Sequence, residues 1–231
     1  MIRSLQPELV DELPAHHPAA IQTRRDLRRI NTLMGHSGIL TRALKKIFPH
    51  QSPSRILEIG AGDGEILLRI APRLPRAWRD VNVTFVDLQD LLRPQTKADF
   101  AALNWTVRSV KGDIFQWMAD PATGDTDVIL ANLVLHHFTD AQLSRLFSAA
   151  EKKTRAFIAV EPRRGRWSLF FARCLSLIGC GPVACHDAPI SVQAGFNRRE
   201  LSALWPANSP WELLERRAGL FSHLFIARRK T

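Results

Sequence analysis

The chain has 231 residues, a length that fits one substantial domain. Hydrophobic residues make up 45% and charged residues 23%, so the composition is that of a globular protein with a core and excludes a disordered or fibrous chain. The formal net charge of +10 makes nucleic acid or an anionic membrane surface a candidate partner. However, the basic residues are scattered in short groups and form no polybasic arm.

Disulfides, metal centres, export signals and membrane spans are not indicated by the sequence. The cysteines, Cys174, Cys180 and Cys185, are odd in number and lack the CxxC spacing, so we predict neither a disulfide framework nor a metal site. The N-terminal residues contain no apolar signal-peptide core. The longest apolar run, from Trp167, is interrupted by Arg173 and is too short to span a membrane. We therefore expect a soluble, cytoplasmic protein, and peripheral contact with a membrane stays open.

Residues 1–50 are predicted to form an arm and a helical cap. The first 20 residues contain several prolines and histidines and are expected to be a loose arm. Apolar residues then recur at helical spacing as far as Phe48. Gly35 and Gly38 divide this run into two helices, and Pro49 ends it. Residues 51–231 are predicted to be the main domain.

From Pro53 onward, strand-like runs alternate with helical ones. The strand-like runs are RILEIG, VNVTFVD, WTVRSV, DVILANLVL and AFIAVEP, with helices expected at about 63–74, 91–103, 140–152 and 167–178. This alternation predicts an α/β fold with a parallel sheet covered by helices on both faces. Near the C-terminus, WELLERRAG and LFSHLFIARR are joined by a short turn, so they should pair antiparallel. We expect a doubly wound, seven-stranded sheet that is mostly parallel and carries a C-terminal antiparallel hairpin.

The first strand-like run leads into a turn with three glycines, Gly60, Gly62 and Gly64. Glycine there permits positive φ and lets backbone N–H groups approach a ligand, and the following helix N-terminus favours an anionic group. The dinucleotide motif GxGxxG would need glycine where Glu65 stands, and the P-loop motif is absent. The glycines alone leave a dinucleotide, another nucleotide or a turn without a ligand open.

Acidic side chains stand at the predicted carboxyl ends of the first three strands. Glu58 lies just before the turn, Asp87 ends the second strand and Asp113 follows the third. Ligands of open parallel sheets bind at this edge, so the three side chains could converge on one ligand. A carboxylate after the second strand can accept hydrogen bonds from two ribose hydroxyls, and a group of acids opposes a triphosphate. The ordered set favours a binding site for a ligand with positive charge.

These segments together resemble the motifs of class I S-adenosylmethionine-dependent methyltransferases. ILEIGAGDGEI is similar to their first motif, VTFVDL to the acidic motif of the second strand, GDIF to the adenine-side motif and ILANLVLHHF to the segment after the fourth strand. The terminal hairpin is similar to their antiparallel seventh strand. The resemblance covers residues 54–229 and implies a Rossmann-like sheet, methyltransferase activity and S-adenosylmethionine as the cofactor.

The resemblance also implies a role for each matched residue. The residues that would contact the methionine part of the cofactor are Glu58, Gly60, Ala61, Gly62 and Asn132. Those that would contact its ribose and adenine are Asp87, Leu88, Asp113 and Ile114. In this arrangement Glu58 lies near the ammonium group, Asp87 binds the ribose hydroxyls, and Asp113 accepts a hydrogen bond from the adenine amino group.

Candidate catalytic bases are three histidines: His136 and His137 after the fourth strand, and His186, which precedes Asp187. Neutral imidazole can take a proton from a phenol near physiological pH, and the chain contains no tyrosine that could serve instead. The structural alternatives are that one of His136 and His137 packs while the other faces the crevice, and that His186 is a loop histidine capped by Asp187. Residues 185–201 are expected to form a loop that covers the substrate, with His186 in it.

The methyl acceptor is predicted to be small and apolar. Nucleic-acid branches of the family carry an NPPY-like segment after the fourth strand, and ANLVLH has neither its prolines nor its aromatic residue, which disfavours nucleic acid. The walls of the acceptor site are expected from the helices of residues 21–48 and from the segment 167–178, which offers Phe170, Phe171, Leu175, Leu177 and Ile178. The layout is similar to small-molecule methyltransferases of polyketide and quinone pathways. We predict methyl transfer to an apolar or aromatic acceptor, with O-methylation favoured; the alternative is a nucleic-acid-associated or non-catalytic binding protein that uses its basic surface.

Overall fold

A computed structural model of the chain describes residues 1–207 and 210–230. Asn208, Ser209 and Thr231, which fall in the predicted main domain, lie outside the described residues. The strands are β1 (Arg55–Ile59), β2 (Val81–Asp87), β3 (Trp105–Lys111), β4 (Val128–Asn132), β5 (Ala156–Pro162), β6 (Trp211–Ala218) and β7 (Ser222–Arg229). The helices are α1 (Leu9–Glu12), α2 (Pro18–Leu33), α3 (His36–Ile47), α4 (Glu65–Ile70), α5 (Pro94–Ala101), α6 (Ile114–Ala119), α7 (Asp140–Lys153), α8 (Arg166–Arg173), α9 (Pro182–Ala194) and α10 (Glu200–Leu204).

The strands form one seven-stranded sheet with the order β3-β2-β1-β4-β5-β7-β6. Neighbours among β1 to β5 pair parallel, whereas β7 pairs antiparallel with both β5 and β6. The predicted α/β class, the strand number and the C-terminal antiparallel hairpin are therefore confirmed. In this order, the carboxyl ends of β1, β2 and β4 lie next to one another at one edge, where a ligand crevice is expected.

The sheet is buried on both faces because its strands carry apolar residues at successive positions. In β1, Ile56 packs into the core shared with α3, α4 and α5, whereas the next residue, Leu57, packs into the core shared with α6, α7 and α10. Leu57 has no exposed surface, and neither does Phe147 of α7 in the same core. A strand that is buried on both faces has apolar residues at consecutive positions. This explains why RILEI does not alternate between apolar and polar residues. This double packing holds the ends of the central strands in fixed positions.

The predicted helical cap is present, with its break at Gly35. This glycine has φ of +69°, a left-handed conformation that ends α2 and starts α3. Gly38, the second predicted break, lies inside α3. Leu40 and Leu44 of α3 belong to the sheet core, so the cap packs directly on the strands. The proposed domain boundary near residue 50 stays a prediction.

The N-terminal arm is not loose, in contrast to the expectation from sequence. The guanidinium of Arg3 donates to the carbonyl of Ala194 at 2.8 Å. The carboxylate of Asp187 accepts the backbone N–H groups of Leu9 and Val10 at 2.9 and 3.0 Å. Those N–H groups are the first two of α1, which have no acceptor within the helix and favour a negative charge. The arm is thus tied along α9.

The segment expected to be a covering loop is largely helical. Residues 182–194 form α9, and Pro189 lies inside this helix, where proline normally weakens helical hydrogen bonding. The helix expected at about 167–178 ends earlier, since α8 is followed by a separate 3-10 turn, Leu175–Ile178. Within residues 1–207 and 210–230, each helix is too short or too polar to traverse a lipid bilayer.

Replacing Asp187 with alanine should release the arm. The variant removes both acceptors of the Leu9 and Val10 N–H groups, each a charge-assisted bond worth roughly 1.5–3 kcal/mol at most. We expect amide hydrogen exchange in residues 1–13 to accelerate by roughly tenfold or more while exchange in the sheet is unchanged. Asp99→Ala is the matched control, because Asp99 bonds to the Gln95 side chain on α5. Equal exchange in the arm of all three proteins would contradict this role.

Candidate active site

A cavity of about 900 Å³ lies at the carboxyl ends of β1, β2 and β4. Its floor is formed by the turn after β1 and by the ends of β2 and β3, and its roof by the arm, α2, α9 and the 3-10 turn after α8. Ligand sites usually enclose roughly 300–1,000 Å³, so this cavity is large for a single small ligand. It has room for a cofactor and an acceptor side by side.

The glycine turn brings backbone to the cavity floor. Gly60 has φ of +62°, and a Cβ atom on it would stand 2.4 Å from Cγ2 of Val134, so glycine is required for both conformation and space. Gly62 has φ of +56° and faces open space, with no atom within 4 Å of the position of a Cβ atom. Together with Ala61, these residues line the cavity. Backbone at this turn can approach a ligand without obstruction.

Asp87, at the end of β2, holds the glycine turn in place. One carboxylate oxygen accepts the N–H of Gly62 at 2.9 Å, and the other accepts the N–H of Gln89 at 2.9 Å. Each carboxylate oxygen can accept a further hydrogen bond, so Asp87 keeps acceptor capacity toward the cavity that it lines. The side chain predicted to bind ribose hydroxyls therefore also fixes the loop against which the ligand would lie.

Glu58 is a buried acid, and one of its carboxyl oxygens has no hydrogen-bond partner among the described residues. Only 2% of its surface is exposed, and its Oε2 atom makes no hydrogen bond. Burial, together with the charges of Asp63 and Asp87, raises the pKa of Glu58 to about 8. A buried carboxyl group without a hydrogen-bond partner destabilises a protein unless a ligand supplies one. Because Glu58 lines the cavity beside the glycine turn, a ligand with an ammonium group would supply it.

The other predicted nucleoside contacts also line the cavity. Asp113 caps α6 by accepting the N–H of Phe115 at 2.6 Å through Oδ1. Ile114 is buried and lines the cavity, whereas Leu88 also lines the cavity and is 71% exposed. The contacts of these three residues with an adenine ring stay a prediction.

Glu161, at the end of β5, organises the loop after β4, and the sequence analysis missed it. Its carboxylate accepts the backbone N–H groups of Val134 and Leu135 at 3.1 and 2.9 Å and that of His136 at 3.3 Å. Leu133, just before these residues, has φ of +55°, a strained conformation for a non-glycine residue. An acid at the end of a buried, apolar strand was the available signal, since it follows the pattern of Asp87.

His136 is not suited to act as a base. Its side chain is buried, with Nδ1 2.7 Å from Glu161 and Nε2 3.4 Å from Glu8 of the arm. Although burial acts in the opposite direction, the hydrogen bonds to these two carboxylates raise the pKa of His136 to about 9. The imidazole is therefore protonated at neutral pH and links β5, the loop after β4 and the arm. It has no free lone pair with which to accept a proton.

His137 differs from its neighbour because it is neutral. Burial and the positive charge of His136 lower the pKa of His137 to about 4. Its side chain lines the cavity and remains 29% exposed, and its Nδ1 atom lies 3.5 Å from the carboxylate of Asp11. The same lowering weakens His137 as a proton acceptor, so it would act as a base only when the nearby carboxylate of Asp11 stabilises the imidazolium. His137 is the predicted base that the structure leaves available.

His186 does not line the cavity. It lies on α9 with its side chain about half exposed, and its Nδ1 atom is 2.9 Å from Asp187. The helix directs Asp187, Ala188 and Ser191 toward the cavity instead. The predicted covering role of His186 therefore does not fit its position, because the expected loop is a helix with this residue on its outer side.

The apolar walls predicted from sequence mostly face the cavity. Among the five residues proposed as walls, those that line it are Phe171, Leu175, Leu177 and Ile178. Phe170 is 55% exposed and lies outside it. Further apolar lining comes from α2 through Leu27, Ile30 and Leu33, which belong to the helical segment that was also expected to contribute walls.

Asn132 is held by a chain of polar side chains. Its Oδ1 atom lies 2.8 Å from Nδ1 of His36, and its Nδ2 atom donates to Asn31 at 3.3 Å. Nε2 of His36 lies 2.9 Å from the hydroxyl of Ser222. Burial lowers the pKa of His36 to about 4, so this histidine is neutral and connects β7 to β4 through α3. This series of hydrogen bonds positions Asn132 at the cavity. It also fixes α3 of the cap against β4 and β7.

Three side chains lie close enough together to resemble a metal site. Ligand atoms of Glu8, His136 and His137 lie within 4.8 Å of one another. However, both nitrogens of His136 face carboxylates and the ring is protonated, so it presents no lone pair to a cation. We therefore treat the cluster as an ion-pair network. The prediction that the protein binds no metal stays a prediction.

Comparisons with known proteins agree with this geometry. The family model described as a methyltransferase domain matches residues 56–155. Uncharacterized methyltransferases of Mycobacterium tuberculosis and Mycobacterium bovis are 29% identical over 132 residues, which is 54% of this chain and 59% of each relative. The match thus spans little more than half the length of these curated relatives.

Solved structures show the same fold. The plantazolicin methyltransferase BamL, in complex with a triazolic desmethylPZN analog and S-adenosylhomocysteine (SAH), has a TM-score of 0.66 and 13% identity over 94% of this chain and 92% of its own. Magnesium protoporphyrin IX methyltransferase from Synechocystis, with bound S-adenosylmethionine (SAM), has a TM-score of 0.55 and 11% identity over 90% of this chain and 84% of its own. These structures confirm the predicted fold. The family match agrees with the resemblance to methyltransferases over residues 56–155.

The pKa of Glu58 has a consequence for stability. Its folded-state pKa of about 8 exceeds its ordinary value of 4.5, so the folded protein retains a proton that the unfolded chain releases between these two pH values. The ligand-free protein should therefore lose stability as pH rises from 4.5 to 8. We expect Glu58→Gln to flatten this fall in denaturant-unfolding measurements at pH 5.5, 7 and 8. The exposed Glu12→Gln control should follow the parent protein, and an unchanged slope in Glu58→Gln would refute the assignment.

Proposed function

We propose that this chain, which carries a methyltransferase domain over residues 56–155, transfers a methyl group from SAM to a small apolar acceptor, with oxygen as the favoured atom. The observation that carries the proposal is the unpaired, buried carboxyl group of Glu58 beside the glycine turn. An amino acid ammonium group in the cavity would supply its missing partner. The methionine part of SAM carries such a group next to a cationic sulfur.

Specific residues would hold each part of the cofactor. Glu58 receives the ammonium group, and the backbone of Gly60 and Gly62 faces the methionine chain. Asp87 accepts from the ribose hydroxyls through its remaining lone pairs. Arg28 of α2 lies over the same turn, 3.4 Å from Asp63, and we assign it to the cofactor's carboxylate. The adenine then lies between Leu88 and Ile114, with its amino group toward Asp113.

When bound, SAM supplies an activated methyl group on a positively charged sulfur. The protein's own contribution is chiefly to orient the two reactants, since aligned neighbours react far faster than free ones. The fixed loop after β4, held by Glu161, and the apolar residues of α2 and of the turn after α8 enclose the acceptor side. This enclosure keeps water away from the reacting groups.

The acceptor is inferred to carry a hydroxyl group on an apolar body. The cavity wall that faces the acids consists of apolar side chains from α2, α8 and the turn after α8: Leu27, Ile30, Leu33, Phe171, Leu175, Leu177 and Ile178. His137 stands at the same cavity with Asp11 beside it. It would accept the hydroxyl proton at one imidazole nitrogen while the acid stabilises the resulting charge. This pairing of an apolar wall with one neutral base supports O-methylation.

The alternative is a nucleic-acid-associated or non-catalytic protein, and only the net charge supports it. The carboxylates of the cavity, Asp87 with Asp11 and Asp187 at the roof, oppose the approach of a phosphate backbone to this site. A protein that bound only through its basic surface would gain nothing from an unpaired, destabilising Glu58. The sensitivity of duplex and RNA binding to salt would reveal such a function if it existed.

Cofactor binding tests the first half of the proposal. Glu58 must ionise to pair with an ammonium group, so SAM binding at pH 6.5 should release roughly one proton. Isothermal titration in two buffers of different ionisation enthalpy measures this number. We expect affinity to rise between pH 5.5 and 7, and Glu58→Gln to bind more weakly with no such release. Asp87→Ala should also weaken SAM and SAH binding, whereas absence of binding by the parent protein would rule the function out.

Replacement of His137 tests the second half. His137→Gln should lower kcat for a hydroxyl-bearing acceptor by roughly 10²–10⁴-fold, the usual contribution of a general base, without changing the affinity for SAM. Transfer of labelled methyl groups from SAM to a panel of alkylphenols provides the measurement. His186→Gln is the control, because that side chain lies outside the cavity. Full activity of His137→Gln with every acceptor would show that the reaction needs no base at this position.

A further inference from the structure

An exposed apolar surface surrounds the mouth of the cavity. This apolar rim consists of side chains from α8, from the turn after it and from the turn between β6 and β7: Trp167, Phe170, Phe171, Leu177, Ile178 and Leu220. The exposed fraction is 74% for Trp167 and 83% for Leu177. The ring centroids of Trp167 and Phe170 are 6.3 Å apart, so these side chains touch. Isolated exposed apolar residues are common, but a contiguous group indicates a binding surface.

The apolar rim is continuous with the interior of the cavity. Phe171, Leu177 and Ile178 are exposed to solvent and also line the cavity. Phe171 packs against Phe221, another lining residue, with ring centroids 4.9 Å apart. An apolar molecule that enters across the rim would thus remain in contact with apolar side chains from the outer surface to the acceptor wall.

The segment that carries most of the apolar rim has positive charges and no acidic residue. Residues 162–186 contain no aspartate or glutamate. Arg166 and Arg173 stand at the two ends of α8 and are exposed, and Arg163 precedes the helix. In the part of the chain that the structure describes, the salt bridges involve none of these three arginines. Their charge is available to an external partner.

We propose that the apolar rim binds an anionic lipid surface, from which a lipid-like acceptor enters the cavity. This inference rests on the proposed function and names the source of the acceptor. Tryptophan and phenylalanine favour the interface between headgroups and acyl chains, and arginines beside them are attracted to anionic headgroups. The short α8 combines both: Trp167 and Phe170 are exposed on it, and an arginine stands at each end.

A second copy of the chain fits this surface less well. Two apolar rims that faced each other would bring the arginines of both copies together, and residues 162–186 offer no acid to pair with them. An anionic membrane offers an apolar interior to the exposed side chains and negatively charged headgroups to the arginines. The charge around the rim therefore selects a lipid surface over self-association.

Vesicle co-sedimentation of the full chain tests this proposal. We expect binding to vesicles that contain phosphatidylserine and much weaker binding to vesicles of phosphatidylcholine alone. Arg166→Ser with Arg173→Ser should reduce partitioning by about thirtyfold, at roughly fivefold for each basic residue near the surface. Trp167→Ser with Phe170→Ser should reduce it further, since neither side chain lines the cavity and both are exposed.

The control pair is Arg76→Ser with Arg79→Ser. These exposed arginines precede β2, away from the carboxyl-end edge of the sheet, and their loss changes the net charge by the same amount. If the control pair weakens binding as much as the pair on α8, attraction is general and the proposal is wrong. The proposal also fails if the parent protein does not bind anionic vesicles, or if the apolar rim instead mediates a dimer that Trp167→Ser with Phe170→Ser abolishes in light scattering.

Titration of SAM with the same preparations separates this inference from the function on which it rests. We expect both rim variants to bind SAM as the parent protein does, because the replaced side chains do not line the cavity. Loss of vesicle binding with intact SAM binding supports the proposal. SAM binding without any vesicle binding leaves the methyltransferase function in place and overturns only the membrane contact.

Discussion

The carboxylate of Glu161 is the interaction on which the site depends. It is fully buried at the end of β5 and accepts the N–H groups of Val134, Leu135 and His136 as well as the imidazole of His136. These bonds place Val134 against Gly60, which sets the shape of the cofactor floor. They also hold the protonated His136 toward Glu8, which fixes the arm over the acceptor side. One buried acid thus determines the position of both halves of the cavity.

The placement of the proposed cofactor residues at one edge of the sheet could be predicted from sequence because its signals are local. Glu58, Asp87 and Asp113 each follow an apolar strand, and parallel strands bring their carboxyl ends to one edge of the sheet. The glycines at positive φ mark the turn between strand and helix without reference to distant residues. For these residues, knowledge of the secondary structure nearly suffices to place the side chains.

The roof of the cavity could not be predicted in the same way. Arg3 contacts Ala194, and Leu9 contacts Asp187, although about 180 or more residues separate the members of each pair, and no periodic pattern connects them. Pro189 within α9 indicates a loop by its usual preference, whereas packing against the arm and the sheet maintains the helix. Tertiary contacts therefore decide which histidine faces the cavity, and the sequence does not contain that information in a local form.

The two sides of the cavity belong to different parts of the architecture. The cofactor side is made from strand ends and their turns, where a change of one side chain disturbs the sheet on both faces. The acceptor side is made from the arm, α2, α9 and the turn after α8, which lie outside the sheet. Substitutions can therefore accumulate on the acceptor side during evolution while the strand ends stay as they are. Under the proposed function, such a division would let related genes inherit one chemistry and diverge in the molecules that they modify.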